Sequence, residues 1–204
     1  MFVARIALLF IICIWGRLTS QETVKVTLYY EALCPYCHEF IQDQLYPGYE
    51  TLGDSLQLDL VPYGAAKHKK VHGKWKFSCQ HGPKECYANK LHACVLNKNY
   101  TQAESMNFIG CLMKTANPEK DSNAKKCAYK KELSWETIKR CANGEEGDEL
   151  FAHYGDVTDS LYPSLEYVPH ILFNDKDNQT LEDSARDNFV KTVCAIFTDR
   201  PSGC

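Results

Sequence analysis

The sequence lacks two features that would point directly to a partner: an apolar run long enough to span a membrane, and an excess of charge. Spanning a membrane takes about 20 apolar residues, and the single apolar run, near the start of the chain, is shorter than that. The 23 Lys and Arg residues nearly balance the 26 Asp and Glu residues, for a formal net charge of −3. We therefore expect a soluble protein, with neither a membrane nor nucleic acid as its partner.

The apolar run, from Ile6 to Trp15, has the flanks of a secretory signal peptide. A positive charge precedes it, Arg17 ends it, and small polar residues follow. We predict a signal peptide of residues 1–20, whose removal leaves residues 21–204 as a single domain.

Loss of the signal peptide changes the cysteine count from odd to even. Of the 11 cysteines, Cys13 lies in the signal segment, so ten remain. An even number of cysteines in a secreted chain predicts disulfides formed in an oxidising compartment. Asn99 and Asn178 begin sequons and are candidate glycosylation sites on the same route.

The first part of the mature chain predicts a βαβ unit of an α/β fold. VKVTLYY, residues 24–30, is rich in β-branched and aromatic residues, and LQLDLVPYG, residues 56–64, alternates apolar and polar residues. The segment between them has helical apolar spacing, which Pro47 is expected to kink or interrupt. CPYC, residues 34–37, then lies at the carboxyl end of the first strand, where α/β sheets place their sites.

The middle of the chain, about residues 65–159, has a different composition. Six cysteines appear, and helices are predicted over 101–116, 131–142 and 148–154. We predict a helical, disulfide-stapled insertion. KHKKVHGKWK, residues 67–76, is predicted as a solvated loop, and the alternative is a surface that becomes more cationic in acid and recruits acidic substrates.

The β pattern resumes near the end of the chain. VPHILFN, residues 168–174, predicts a strand, and a short QTLE segment follows a turn. A final helix is predicted over 184–197.

Cys34 and Cys37 have the spacing of a thiol–disulfide exchange site. If Cys34 caps the helix, Pro35 takes the first helical position, and the Cys34 sulfur faces unpaired N–H groups at the positive end of the helix dipole. That field favours the thiolate, which is the attacking species. We predict that Cys34 attacks a substrate disulfide and that Cys37 resolves the mixed disulfide.

A fixed structural bridge and half of a zinc site are the alternatives for this pair. Zinc would need a second close cysteine pair, and no other two cysteines have this spacing, so we expect no metal. Cys194 and Cys204 are near enough in sequence to pair locally. The candidates for structural disulfides are Cys79, Cys86, Cys94, Cys111, Cys127, Cys141, Cys194 and Cys204.

The Val168-Pro169 dipeptide supports the redox interpretation. In folds that run strand, CxxC and helix, a proline at the head of a later strand commonly takes the cis form and lies against the cysteine pair. Backbone there is open to an extended peptide. We predict Val168, Pro169 and Tyr36 as substrate-binding residues.

The most specific pattern is CQHGPKECYANKLHAC, residues 79–94. It resembles the signature of the gamma-interferon-inducible lysosomal thiol reductase family: CQHG, two residues, EC, two residues, N, four residues, C. With the signal peptide, the CxxC, the sequons and the Val-Pro strand, the resemblance covers nearly the whole chain. The matching positions are Cys79, Gln80, His81, Gly82, Glu85, Cys86, Asn89 and Cys94.

This resemblance implies a thioredoxin-like fold with a helical insertion, and a reductase that opens disulfides of endocytosed proteins in acidic endosomes and lysosomes. We expect the protein to be a monomer that acts on unfolded protein substrates. Its catalytic pair falls on Cys34 and Cys37. The chemistry implies no bound cofactor, only an external small thiol as electron donor. Pro35 and Tyr36 depart from the small pair typical of mammalian members, which leaves the redox potential and pH optimum open.

Some roles and two rival functions stay open. His81 either hydrogen-bonds within its loop or approaches the active site, and His38 either assists proton transfer or faces solvent. One rival function is a disulfide oxidase or isomerase of the secretory pathway, although the ending DRPSGC is not a KDEL-type retention signal. The other is a non-catalytic, secreted, cysteine-rich binding glycoprotein.

Overall fold

The computed structural model describes residues 22–204, so the predicted signal peptide lies outside the described residues. None of the helices among them is long and apolar enough to cross a membrane. The strands are β1 (Val24–Tyr30), β2 (Leu56–Pro62), β3 (Lys67–Val71), β4 (Lys74–Ser78) and β5 (His170–Phe173). The helices are α1 (Pro35–Phe40), α2 (Tyr46–Leu52), α3 (Pro83–Leu96), α4 (Gln102–Met113), α5 (Asp121–Lys130), α6 (Trp135–Asn143), α7 (Glu145–Asp159), α8 (Gln179–Asp187) and α9 (Phe189–Cys194).

Strand β1 is the centre of a three-stranded sheet with the order β2-β1-β5. β2 runs parallel to β1 and β5 antiparallel, so the predicted βαβ unit is confirmed. Val26, Leu28 and Tyr30 point into the main core, while Tyr29 packs on the opposite face with Val157 of α7 among its neighbours. Because elements cover both faces of the sheet here, β1 is buried along almost its whole length. The CPYC motif therefore follows a strand that is packed on both faces.

The helix after CPYC does not stop at Pro47. α1 leads into a π-helical segment, Ile41–Leu45, which continues into α2. A proline inside a regular α-helix removes a hydrogen bond and clashes with the carbonyl four residues back. The wider turn of the π-helix just before Pro47 accommodates both effects. The predicted interruption is thus a local change of helix type within one helical segment.

The prediction of a solvated loop for residues 67–76 is wrong, because β3 and β4 form an antiparallel hairpin there. His68 and Phe77 are cross-strand partners, and their rings contact those of Tyr63 and Phe151. The lysines alternate with these residues and stay exposed. Their number hid the two-residue alternation that signals a strand.

Five helices, α3 to α7, follow this hairpin before β5, as the predicted helical insertion requires. The predicted helices appear as α4, α6 and α7, of which α7 is longer than predicted. Helix α4 begins at a capping box formed by Thr101 and Glu104. The sequence pattern missed α3 because this helix buries Glu85, Asn89 and His92 beside its apolar residues, which removes the apolar periodicity. It also missed α5, whose buried residues are only Ala and Cys.

The end of the chain differs from its prediction in two respects. The strand β5 is confirmed, but QTLE begins α8 and is not an extended segment. The predicted final helix is divided at Asn188, whose side chain accepts a hydrogen bond from the N–H of Lys191 and caps α9. Asn178 caps α8 in the same way, through the N–H of Leu181.

Eight cysteines form four disulfides among residues 22–204. Cys94–Cys141 joins α3 to α6 and is fully buried, whereas Cys194–Cys204 closes a short loop at the end of the chain. The other two bridges are Cys79–Cys86 and Cys111–Cys127.

The two bridges of different span give a test of stability. Replacing both Cys94 and Cys141 by alanine should lower the free energy of unfolding by about 4 kcal/mol, against about 3 kcal/mol for Cys194 and Cys204, because the longer loop gains more freedom in the unfolded chain. Urea denaturation of both double variants measures the difference. A larger loss for the Cys194 and Cys204 variant would contradict it.

Candidate active site

The CPYC motif joins β1 to α1 as predicted. Cys34 is the N-cap of α1 in an extended conformation, and Pro35 occupies the first turn. The carbonyl of Cys34 accepts a hydrogen bond from the N–H of His38 at 3.0 Å. Cys34 is 5% exposed and Cys37 is completely buried, while Tyr36 is 70% exposed. Among residues 22–204, these two are the unpaired cysteines.

The two thiols differ in their acidity. A hydrogen bond from Cys37, and then the backbone N–H groups of Cys37 and Tyr36 and the charge of His81, lower the pKa of Cys34 to about 6, against the opposing effect of burial. Burial and the bond to Cys34 raise the pKa of Cys37 above its usual range. At pH 5 an ordinary cysteine is about 0.03% thiolate, whereas a pKa of about 6 gives about 10%. In acid, Cys34 is therefore the cysteine of the pair with the larger thiolate fraction.

A groove runs beside the Cys34 sulfur. The thiol of Cys34 lies 3.9 Å from the carbonyl oxygen of Val168, and the Val168–Pro169 peptide is cis, as predicted. Of the predicted substrate-binding residues, Val168 and Tyr36 line the groove, whereas Pro169 is buried and is not among the lining residues. The remaining lining residues are Pro35, Ala65, Gln80, His81, Leu165, Glu166 and Tyr167.

Side chains of α8 bond the backbone just before β5 and the first residue of β5, next to the groove. The guanidinium of Arg186 donates hydrogen bonds to the carbonyl of Pro169 and to the buried carboxylate of Glu182. The same carboxylate lies 2.8 Å from Nδ1 of His170, the first residue of β5. These bonds hold the backbone of Pro169 in place next to Val168, whose carbonyl oxygen faces the Cys34 thiol.

The signature segment holds the residues that lead into CPYC. Asn89 of α3 is buried, and its Oδ1 accepts a hydrogen bond from the N–H of Ala32 at 2.8 Å. One turn later, Nδ1 of His92 lies 3.0 Å from the hydroxyl of Tyr30. Glu31 lies between Tyr30 and Ala32 in the chain, and its Oε2 is 3.4 Å from Nδ1 of His81. Three successive residues at the end of β1 are thus bound by the signature segment and its helix.

Glu31 is a fully buried acid beside the site. Its Oε1 accepts a hydrogen bond from the N–H of Ala65 at 2.7 Å, while its Oε2 is buried without a hydrogen bond. Gly64, with φ of +63°, makes room for it, since a Cβ there would lie 2.2 Å from Cγ of Glu31. Burial, and then the charges of Glu85 and Cys34, raise the pKa of Glu31 to about 7, against the bond from Ala65.

His81 lies between two buried carboxylates. Its Nδ1 is hydrogen-bonded to Glu85 and faces Glu31, and its backbone N–H donates to Oε1 of Glu85 at 3.1 Å. Burial lowers the pKa of His81, but the bond to Glu85 and the two negative charges outweigh it, so the pKa is raised. His81 therefore hydrogen-bonds within its loop and also lines the groove beside Cys34.

Two groups of described residues have donor atoms close enough to share a metal ion. In both groups, the histidine is already paired with a carboxylate. This pairing does not test whether a metal binds, and the expected absence of a metal stays a prediction. The groups are Glu31, His81 and Glu85, and His170, Asp177 and Glu182.

No site role is predicted from sequence for Glu31, Glu85, Asn89 and His92. The last three lie in the signature or its helix, at positions where a packed helix usually carries apolar residues. His81 and Glu85 are four residues apart, the spacing of neighbours on a helix, which was an available signal. Glu31 gave no signal, since nothing in its neighbours predicts complete burial.

The other predicted residues lie as follows. The ring of His38 does not face solvent alone, because its Nε2 lies 2.7 Å from the carbonyl oxygen of Ala32. Asn99 and Asn178 are exposed, and their glycosylation stays a prediction. In the hairpin, His68 contacts Asp156 while His72 is exposed, and the recruitment of acidic substrates by this surface also stays a prediction.

The acidity of Cys34 can be measured directly. Following thiolate absorbance against pH should give an apparent pKa of about 6 for Cys34. In the Cys37→Ala variant it should rise, because the hydrogen bond from Cys37 is the largest stabilising contribution to the thiolate. An unchanged titration in that variant would contradict this assignment, and the Tyr36→Phe variant serves as control because it keeps the backbone N–H.

Comparison with known protein families identifies relatives across most of the chain. The family model for gamma interferon inducible lysosomal thiol reductase (GILT) matches residues 25–131. GILT-like protein 1 of Drosophila melanogaster is 36% identical over 206 residues, covering 94% of this chain and 82% of the relative. The gamma-interferon-inducible lysosomal thiol reductase of Mus musculus is 34% identical over 197 residues, covering 95% of this chain and 77% of the relative.

Solved structures show the same fold at low sequence identity. A thioredoxin-like oxidoreductase from Silicibacter pomeroyi DSS-3 superimposes with a TM-score of 0.53 at 15% identity, covering 82% of this chain and 86% of the other. Reduced DsbA from Mycobacterium tuberculosis gives 0.57 at 14% identity, covering 88% and 85%. The fold is thus thioredoxin-like, as predicted, with the helical insertion between β2 and β5. With this fold, the signature and these relatives, the chain belongs to the gamma-interferon-inducible lysosomal thiol reductase family.

Proposed function

We propose that this thiol reductase opens disulfides of unfolded proteins with Cys34 as nucleophile and Cys37 as resolving thiol. The observation that carries the proposal is the contrast between the two cysteines. Both are free thiols in a region whose other cysteines are paired, and only Cys34 combines a lowered pKa with a place on the groove. A nucleophile with a reachable sulfur and a deeper partner is the arrangement that thiol–disulfide exchange requires.

The reaction takes place in two exchanges. The thiolate of Cys34 attacks one sulfur of the substrate disulfide, which forms a mixed disulfide and releases the other sulfur as a thiolate. Cys37 then attacks Cys34, which releases the second substrate sulfur and leaves a Cys34–Cys37 disulfide. An external thiol has to reduce that disulfide before the next turnover, and we propose a small thiol as the donor.

The depth of Cys34 favours unfolded substrates. Because only 5% of this residue is exposed, a disulfide fixed on a folded surface has little access to its sulfur. An extended segment lying along the groove, between Tyr36 and Val168, carries its disulfide to the sulfur directly. Exposed Tyr36 and Tyr167 offer it apolar contact area.

We place the reaction in acidic endosomes or lysosomes. The relative from mouse is named as lysosomal, and a Cys34 pKa of about 6 keeps a useful fraction of thiolate in acid. The predicted signal peptide and the four disulfides fit entry through the secretory route. Secretion from the cell is the other destination on this route.

Reduction of a denatured disulfide protein tests the function. The purified mature chain, with a small thiol as donor, is expected to be active at pH 4.5 and at pH 7, and the Cys34→Ser variant is expected to be inactive at both. Undiminished activity of that variant would refute the assignment of the nucleophile. Tyr129→Phe, which changes an exposed tyrosine outside the groove, is the control and should keep full activity.

The same assay separates the rival functions. Activity only near pH 7 would argue against the acidic setting. Faster formation of disulfides in a reduced substrate than reduction of an oxidised one would favour an oxidase. Absence of exchange by wild-type CPYC thiols would leave a non-catalytic binding glycoprotein.

A further inference from the structure

The two exchanges leave one cluster of ionisable groups without a role. Glu31 and Glu85 are both fully buried, and His81 lies between them with about a third of its side chain exposed. Burying two carboxylates is costly unless they are paired or neutralised. The cluster is also incomplete, because Oε2 of Glu31 has no hydrogen bond and only the nearby Nδ1 of His81 as an ionic partner. This unsatisfied oxygen points to a transient partner, for which a proton is the smallest candidate.

The cluster extends from the buried thiol to the groove. At one end, the backbone N–H of Glu31 faces the Cys37 sulfur, and the Glu31 charge acts on that thiol. At the other end, His81 lines the groove together with Cys34. Both carboxylates engage Nδ1 of His81, which leaves Nε2 as the nitrogen that a bound substrate can reach.

The second exchange needs a route by which a proton can leave the buried Cys37 thiol. Cys37 must lose a proton to attack, yet it is completely buried and bulk water has no direct access to it. An ordinary cysteine is only about 0.03% ionised at pH 5, and burial makes Cys37 still harder to ionise. At the same time, the substrate sulfur that leaves Cys34 needs a proton.

We propose that Glu31 and His81 carry the proton from the Cys37 thiol to the substrate sulfur that leaves Cys34. The inference rests on the proposed roles of Cys34 and Cys37. Glu85 acts through His81, as a positioning residue that holds the ring against Glu31.

The step is balanced without any added oxidant or reductant. The bond between the Cys37 and Cys34 sulfurs forms as the bond between Cys34 and the substrate sulfur breaks. The Cys37 proton passes to Oε2 of ionised Glu31, while protonated His81 gives its Nε2 proton to the leaving sulfur and keeps the Nδ1 proton that it donates to Glu85. When His81 takes up a proton again and Glu31 loses one, the pair has moved one proton in total from Cys37 to the substrate. The electron pair of the broken bond stays on the substrate, which is thereby reduced.

The charge on Cys34 fits the timing of this transfer. In the free enzyme, burial chiefly raises the pKa of Glu31, and the charges of Glu85 and of the Cys34 thiolate add to it, so Glu31 holds its proton. In the mixed disulfide Cys34 has no charge, and that contribution disappears. The carboxyl group then ionises more readily and becomes able to accept the proton of Cys37. Besides these thiols, the groups that face Glu31 are His81, Glu85 and the N–H of Ala65.

The test compares the two exchanges separately, using a labelled disulfide peptide at pH 5. In the Cys37→Ala background only the first exchange takes place, and adding Glu31→Gln should leave its rate unchanged. With Cys37 present, Glu31→Gln should slow release of the second peptide by about 10²-fold, so that the mixed disulfide accumulates. Glutamine keeps the size of the side chain and the acceptor for Ala65. Glu39→Gln, an exposed glutamate on α1, is the matched control and should change neither step.

The outcomes are distinguishable. If Glu31→Gln slows both exchanges equally, or neither, the proton path is wrong while the proposed function stands. If Cys37→Ala forms no mixed disulfide through Cys34, the proposed function itself fails. Should Glu31→Gln not fold, Glu31→Asp tests the same point, because it keeps a carboxyl group but moves it away from His81. Its second exchange should then be slowed less than about 10²-fold, and an unslowed second exchange would overturn the proposal.

Discussion

The hydrogen bond from the N–H of Ala32 to Oδ1 of Asn89 is the contact on which the site depends. It lies in the core, two residues before Cys34, and joins the sheet to the signature helix α3. A buried amide left without its partner costs about 1–3 kcal/mol, so this bond specifies how β1 and α3 meet. The contact joins the segment that leads into Cys34, at the start of α1, to the helix that follows His81, which lines the groove.

Acid destabilises this arrangement at a buried histidine, and the disulfides oppose that loss of stability. His92 beside Tyr30 is fully buried, and burial lowers its pKa to about 3, so it stays neutral in the fold but takes a proton when the chain unfolds below about pH 6.5. Its burial therefore subtracts stability as the pH falls from 6.5 towards 3. The four disulfides of residues 22–204 act in the other direction, by restricting the unfolded chain. The disulfides thus offset part of the stability that the buried histidine costs at low pH.

Much of the fold and the centre of the site were predictable from local patterns. β1, the cap at Cys34 and the cis bond before Pro169 follow from residue types at short spacing. What sequence reasoning missed depends on contacts between distant segments. α3 has buried polar residues whose partners lie some 60 positions earlier, as with His92 and Tyr30, so it reads as a polar loop. The burial of Glu31 likewise requires Gly64 and the signature loop, which no local pattern connects to it.

The most direct measurement is the thiolate titration of Cys34 in the Asn89→Ala variant, beside Asn97→Ala as control. Asn97 caps the other end of α3, where it bonds Ala93 and Tyr154 outside the site. If α3 positions the segment before CPYC, Asn89→Ala should raise the apparent pKa of Cys34 from about 6 towards the ordinary value of about 8.5, with Asn97→Ala unchanged. A folded Asn89→Ala protein whose Cys34 titrates like the wild type would contradict the account.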